Sequence, residues 1–173
     1  MNLPQNIILI GFMACGKSAI GHKIAEILGW EYVDIDMLIE SQTKKKVKDI
    51  FLEEGEKAFR TYESEIAKTI VNLNNKVIST GGGIVLKPEN VEALKKAGKL
   101  VLFQVEPETV LRRVKDYTTR PLLNYPDPEK RLAMINKLLA ERENKYKNSA
   151  DIVIDTNDDH LDNNARKVLK EFE

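Results

Sequence analysis

The chain has 173 residues, enough for one domain with a sizeable core. Lys plus Arg is 27 and Asp plus Glu is 27, so the formal net charge is zero, which argues against a bulk electrostatic role on nucleic acid or an acidic membrane. A single cysteine, Cys15, excludes an intramolecular disulfide. No apolar run approaches membrane-spanning length and no basic leader precedes an apolar core, so the expectation is a cytoplasmic protein with neither membrane nor nucleic-acid partners.

Short apolar runs alternate with longer helical patterns, without repeats or low-complexity linkers. NIILI, Asn6 to Ile10, predicts a buried strand. The helix after it carries Ile20, Ile24, Ile27 and Leu28 on one face and stops at Gly29. YVDI predicts a second strand. The run from Val47 to Leu73 is mostly helical, with Phe59, Tyr62, Ile66, Ile70 and Leu73 at spacings of three and four. KVIST is a third strand closed by Gly81, Gly82 and Gly83, VEALKKAG a helix, and KLVLFQV a fourth strand. A helix from about Pro107 to Val114 has proline in its first turn. KDYTTRPLLNYPDP, from Lys115 to Pro128, carries three prolines and little periodicity, the composition of a long loop or lid. A helix resumes near Glu129, DIVID is a fifth strand, and a last helix closes the chain. Strand then helix, five times, predicts an α/β fold: a five-stranded parallel sheet with helices on both faces.

Directly after the first strand stands GFMACGKS, Gly11 to Ser18, which fits G-x-x-x-x-G-K-[ST] in the strand-to-helix setting that motif requires. Its glycines let backbone N–H groups turn onto phosphate oxygens, and the following helix presents its positive end to the same anion. Lys17 reaches the β- and γ-phosphates and the Ser18 hydroxyl is a Mg²⁺ ligand. The motif specifies a nucleoside triphosphate. The D-x-x-G and N-K-x-D motifs of a switch GTPase are absent.

Asp34 and Asp36 stand two apart in an apolar setting, where like charges need a cation or partner. At a strand end, residues two apart point to one side and face the crevice at the carboxyl edge of a parallel sheet. Asp36 as a helix N-cap is an equally compatible reading. Arg60 and Glu63 read, by themselves, as an exposed i,i+3 ion pair. Arg142 interrupts the stripe Leu132, Ile135, Leu139, Tyr146; it either snorkels to water or offers a planar fork to a carboxylate. The glycine triplet alone reads as a loop needing unusual backbone angles. Cys15 lies at a helix N-terminus, which can lower a thiol pKa and make it reactive; an inert small residue in place of serine is an equally compatible reading.

Together, the phosphate loop, Asp34-x-Asp36, AFR ending at Arg60, TGGG from Thr80 to Gly83 and TRPLL from Thr119 to Leu123 resemble the shikimate kinase family, in order and over nearly the whole chain. The resemblance implies a three-layer P-loop kinase fold with a mobile lid, in a single domain spanning 1–173. The lid would be about 115–128 and the acceptor-binding helical region about 36–62. It implies phosphorylation of the 3-hydroxyl of shikimate with ATP and Mg²⁺, on the route to chorismate and aromatic amino acids, by a monomer. The nucleotide would lie on Gly11, Ala14, Cys15, Gly16, Lys17, Ser18, Ala19, Arg113 and Arg120. Arg113 would pack on adenine, and Arg120 would swing over the phosphates with the lid. The metal would be held by Ser18 and, through water, Asp34. Shikimate would be bound by Asp36, Arg60, Gly81, Gly82, Gly83 and Arg142, with Glu63 steadying Arg60. Lys17, Asp36 and Arg120 would be catalytic. Ala14 and Ala19 stand where the family frequently has glycine and threonine, which implies weaker nucleotide binding. Asn144 stands where it often has proline. Gluconate kinase and a non-catalytic nucleotide-binding module are the alternatives; intact Lys17, Asp36 and Arg120 speak against the second.

Overall fold

A computed structural model of the chain describes residues 1–117 and 121–173. Five strands, β1 (Asn6–Gly11), β2 (Glu31–Asp34), β3 (Lys76–Ser79), β4 (Lys99–Gln104) and β5 (Ile152–Asp155), form one parallel sheet in the order β2-β3-β1-β4-β5. The eight helices among the described residues are α1 (Lys17–Leu28), α2 (Ile35–Thr43), α3 (Val47–Glu53), α4 (Gly55–Thr69), α5 (Pro88–Ala97), α6 (Pro107–Arg113), α7 (Pro128–Ser149) and α8 (Leu161–Lys170). None of them is long and apolar enough to cross a membrane.

β1 is the centre of the core. Ile7, Ile8, Leu9 and Ile10 are all fully buried, so successive side chains find cover on both faces of the sheet, as the unbroken apolar run predicts. Each such side chain contributes about 1.5–3 kcal/mol over leaving it in water. At the start of β1, buried Asn6 donates to Leu73 O (2.6 Å) and Ala97 O (2.7 Å) and accepts from Lys76 N, tying the strand to β3 and α5. Helix boundaries follow local chemistry. Gly29 ends α1 in the left-handed region, and proline opens α5, α6 and α7. Gly55, at φ +85°, separates α3 from α4 where the sequence pattern ran on as one helix.

Two expectations change here. The second strand ends at Asp34, so Asp36 is not on a strand but in the first turn of α2. The N-cap is Asp34, whose carboxylate accepts from Asp36 N (2.9 Å) and Met37 N (3.3 Å). Within the proline-rich segment, Pro121–Leu123 form a 3-10 turn, and Leu123 and Tyr117 are buried, with the Arg131 guanidinium 3.9 Å from the Tyr117 ring centroid.

Candidate active site

The strand order places the site. β2, β3 and β1 are neighbours, and register aligns Asp34 and Leu9 with Ser79 on either side. All three strands run the same way, so Asp34, the glycine triplet and the phosphate loop leave the sheet together at its carboxyl edge, where ligands bind in open α/β sheets. A cleft of about 630 Å³ opens there, lined by Lys17, Ser18, Ala19, Asp34, Asp36, Gly81, Gly82 and Arg113 among others. A smaller pocket of about 100 Å³ adjoins it, sharing Met13, Asp36, Gly81 and Gly82, with Arg60, Gly83, Arg142, Phe51 and Phe59 as its further walls.

The phosphate loop has the backbone its function requires. Gly11 and Gly16 lie at φ +141° and +98°, and a Cβ on Gly11 would fall 2.6 Å from Phe103 O. Ala14 occupies the left-handed region at φ +59°, which explains why glycine is the natural residue there. Lys17 is buried, and its ammonium donates to Gly11 O (2.9 Å) and Phe12 O (2.8 Å). Cys15 is fully buried, with Lys17 Nζ 3.5 Å from its sulfur, which favours the inert reading over the accessible reactive thiol. Its carbonyl accepts from Thr156. Tyr32 steadies Asp34 from β2: its hydroxyl donates to Asp34 Oδ2 at 3.2 Å.

The glycine triplet serves close approach. None of Gly81, Gly82 and Gly83 has positive φ, which corrects the expectation of unusual angles. A Cβ on Gly81 would stand 2.8 Å from Glu63 Oε1 and 3.2 Å from Asp36 Oδ1. One on Gly83 would stand 2.4 Å from the Arg60 guanidinium. Side chains here would push the acidic and basic groups apart.

Arg60 and Glu63 are not the exposed pair that their spacing suggests. Glu63 is 0% exposed and accepts from Arg60 Nη1 at 2.9 Å. Its other oxygen, Oε1, is buried without a hydrogen-bond partner among the described residues. Burial pushes the Glu63 carboxyl above the usual glutamate range, with Arg60 and Arg142 opposing and Asp36 reinforcing the shift. Arg142 is 5% exposed, so it does not snorkel. It lies 5.7 Å from the Phe12 ring centroid, its Nη1 is 3.4 Å from Gly82 O, and it forms no ion pair with any described carboxylate. Tyr146, one turn on, donates to the same Gly82 oxygen. Glu63 was legible only as a partner of Arg60, and Tyr146 only as part of an apolar stripe. No sequence signal marks either as buried beside the cleft.

Arg113 joins three segments. Its guanidinium donates to Ala14 O (3.3 Å), Thr156 O (2.6 Å) and Asp158 O (2.9 Å) and pairs with Asp159. The acidic segment after Asp155, which offered no evident nucleotide contact in the sequence, thus holds the arginine that borders the phosphate cleft. Arg120 and Thr119 lie outside the described residues.

A buried lysine on a phosphate loop, two carboxylates beside it, and a buried and a half-buried arginine in an adjoining pocket are the parts of a kinase for a small anionic acceptor. Comparison agrees. A family model for shikimate kinase matches residues 13–173. The shikimate kinase of Thermodesulfovibrio yellowstonii is 40% identical over 169 residues, 98% of this chain and 95% of that one. The structure of shikimate kinase from Acinetobacter baumannii in complex with shikimate matches with a TM-score of 0.90 at 36% identity, covering 98% of this chain and 92% of that one. A gluconokinase from Sinorhizobium meliloti matches with a TM-score of 0.58 at 13% identity, covering 99% and 94%, a likeness of fold alone. The chain belongs to the shikimate kinase family.

Proposed function

We infer that the protein transfers the γ-phosphoryl group of ATP to the 3-hydroxyl of shikimate, giving ADP and shikimate 3-phosphate on the route to aromatic amino acids. The observation that carries this reading is Arg142: a buried guanidinium that forms no ion pair with a carboxylate among the described residues, in a pocket shared with Arg60. An unpaired buried charge is costly, and the carboxylate of the acceptor supplies the missing partner. The smaller pocket then holds shikimate against Asp36, Arg60, Gly81, Gly82, Gly83 and Arg142, and the larger cleft holds the triphosphate on Gly11 to Ala19, with Arg113 beside the base.

In the reaction, the acceptor oxygen bonds to the γ-phosphorus as the bond to the β,γ-bridging oxygen breaks. The electron pair leaves with ADP, and the hydroxyl proton passes to Asp36. Lys17 neutralises charge on the phosphates and Arg120 is assigned the same task from the lid at about 115–128. Little covalent chemistry falls to the protein, so alignment of acceptor and donor supplies most of the acceleration. The oxygen donors at the cleft fit Mg²⁺: the Ser18 hydroxyl and the Asp34 carboxylate, which both line it. Both Asp34 oxygens already accept hydrogen bonds, so contact through water fits best. Bound there, the ion would neutralise charge on the phosphate oxygens. The domain spans 1–173, with about 36–62 as its acceptor-binding region, and is assigned as a cytoplasmic monomer.

The test is ADP release with MgATP in the presence of shikimate, gluconate or no acceptor. Release that depends on shikimate is the expected result. Release with gluconate only would move the acceptor, and no acceptor-dependent release would leave a nucleotide-binding module.

A further inference from the structure

Tyr146 needs no function to explain its ring, which fills the buried face of α7 with Ile135 and Leu138. Its hydroxyl is another matter. The side chain is 3% exposed, and a buried phenol must find a partner. That partner is the carbonyl oxygen of Gly82, at the border between the phosphate cleft and the acceptor pocket. Burial, only partly opposed by Arg142, pushes the phenol well above the ordinary tyrosine range, so it remains protonated and remains a donor.

The consequence follows from peptide planarity. Gly81 O accepts from Ile84 N at 3.3 Å, which fixes the plane that carries the Gly82 N–H. Gly82 O accepts from Tyr146, which fixes the plane that carries the Gly83 N–H. Gly82 is thereby clamped on both sides, although glycine is the most pliant residue the chain could place there. Among the described residues, neither the Gly82 nor the Gly83 N–H donates to another part of the chain. A Cβ on Gly82 would stand 3.5 Å from Gly11 O, Met13 N and Tyr146 Oη alike: the residue sits where the phosphate loop meets α7. Arg142 reaches the same carbonyl at the longer distance of 3.4 Å. Once a substrate carboxylate engages Arg142, Tyr146 is left as the holder of that peptide.

We propose that Tyr146 is a positioning residue for phosphoryl transfer, which sets the acceptor against the phosphate loop through the Gly82 carbonyl. The proposal rests on the shikimate kinase reading above. Phosphoryl transfer depends on in-line alignment, and displacements of the order of 1 Å cost about 10²-fold in rate.

Tyr146→Phe keeps the ring and removes the donor. In the full-length protein the expected result is a fall in kcat of about 10- to 100-fold, with affinity for MgATP unchanged. The number of ADP molecules released per shikimate 3-phosphate formed should also rise above one, as water competes for a misaligned phosphoryl group. A purely structural role would lower the melting temperature and leave that ratio at one. Unchanged kcat and ratio overturn the proposal, and so does an equal loss of MgATP affinity, which would mean general damage to the phosphate loop. If the phenylalanine variant folds poorly, 4-aminophenylalanine at position 146 restores a donor in the same shape. Recovery of the ratio supports the proposal; recovery of stability without it overturns it. Wild-type protein inactive toward shikimate would instead sink the functional reading.

Discussion

Arg142 lines the smaller pocket and Glu63 is buried behind Arg60, and the two answer to different measurements. On the proposed role, Arg142→Ala removes a charge-assisted contact to the substrate carboxylate of about 2 kcal/mol, so KM for shikimate should rise about 30-fold. Arg142→Lys should fall between, because an ammonium cannot form the bidentate fork. Affinity for MgATP should hold in both, and an equal fall there would remove Arg142 from the acceptor site. Glu63 is read by pH. Its carboxyl titrates above the ordinary value of 4.5 in the folded chain, so between those two values the native state holds more proton than the unfolded one. Stability from this group is complete below pH 4.5 and is lost as pH rises through the raised value. Glu63→Gln removes the titration, so the stability difference between wild type and variant should shrink with rising pH over that window in denaturant unfolding. Parallel curves would show that Glu63 titrates normally. Of these groups, Arg142 was legible because a charge in an apolar stripe demands an explanation. Glu63 was not, because i,i+3 spacing looks the same on a solvent face and in a core.

Among the elements, the phosphate loop was legible from its covalent spacing alone, whereas the start of α2 was misplaced by the alternation in YVDID. Hydrogen bonding decided that boundary: the Asp34 carboxylate takes two amides of the first turn and ends the strand. The carboxylates still share one cleft, but through a strand–helix junction rather than one strand face. Strand order was beyond reach for a similar reason, since parallel apolar strands carry little information about their neighbours. Asn6 is one residue that does specify them. Its three side-chain hydrogen bonds reach Leu73 O, Ala97 O and Lys76 N from a site with no exposure. Asn6→Ala should lower stability by about 2–3 kcal/mol in urea unfolding, because it leaves buried backbone groups without partners. KM for both substrates should stay unchanged, since Asn6 lies at the amino edge of the sheet, opposite the cleft. A shift in KM would mean that register at β1 reaches the phosphate loop.

The whole molecule is a sheet whose three adjacent strand ends deliver the donor loop, the carboxylates and the glycine triplet to one edge, with α7 closing the acceptor side. Ligands that occupy that edge must therefore stabilise the fold by mass action. At 100 times its Kd, shikimate should add about 2.7 kcal/mol to the unfolding free energy. For a chain of this length that is roughly 5–10 °C in Tm. Gluconate should add nothing at the same concentration. A 30-fold weaker complex in Arg142→Ala leaves shikimate at only about three times Kd, which reduces its contribution to about 0.8 kcal/mol. A non-hydrolysable ATP analogue should raise Tm in wild type and variant alike. Thermal unfolding with each ligand separately therefore distinguishes the two halves of the edge. A variant that lost both shifts together would show that Arg142 supports the whole cleft instead of one substrate.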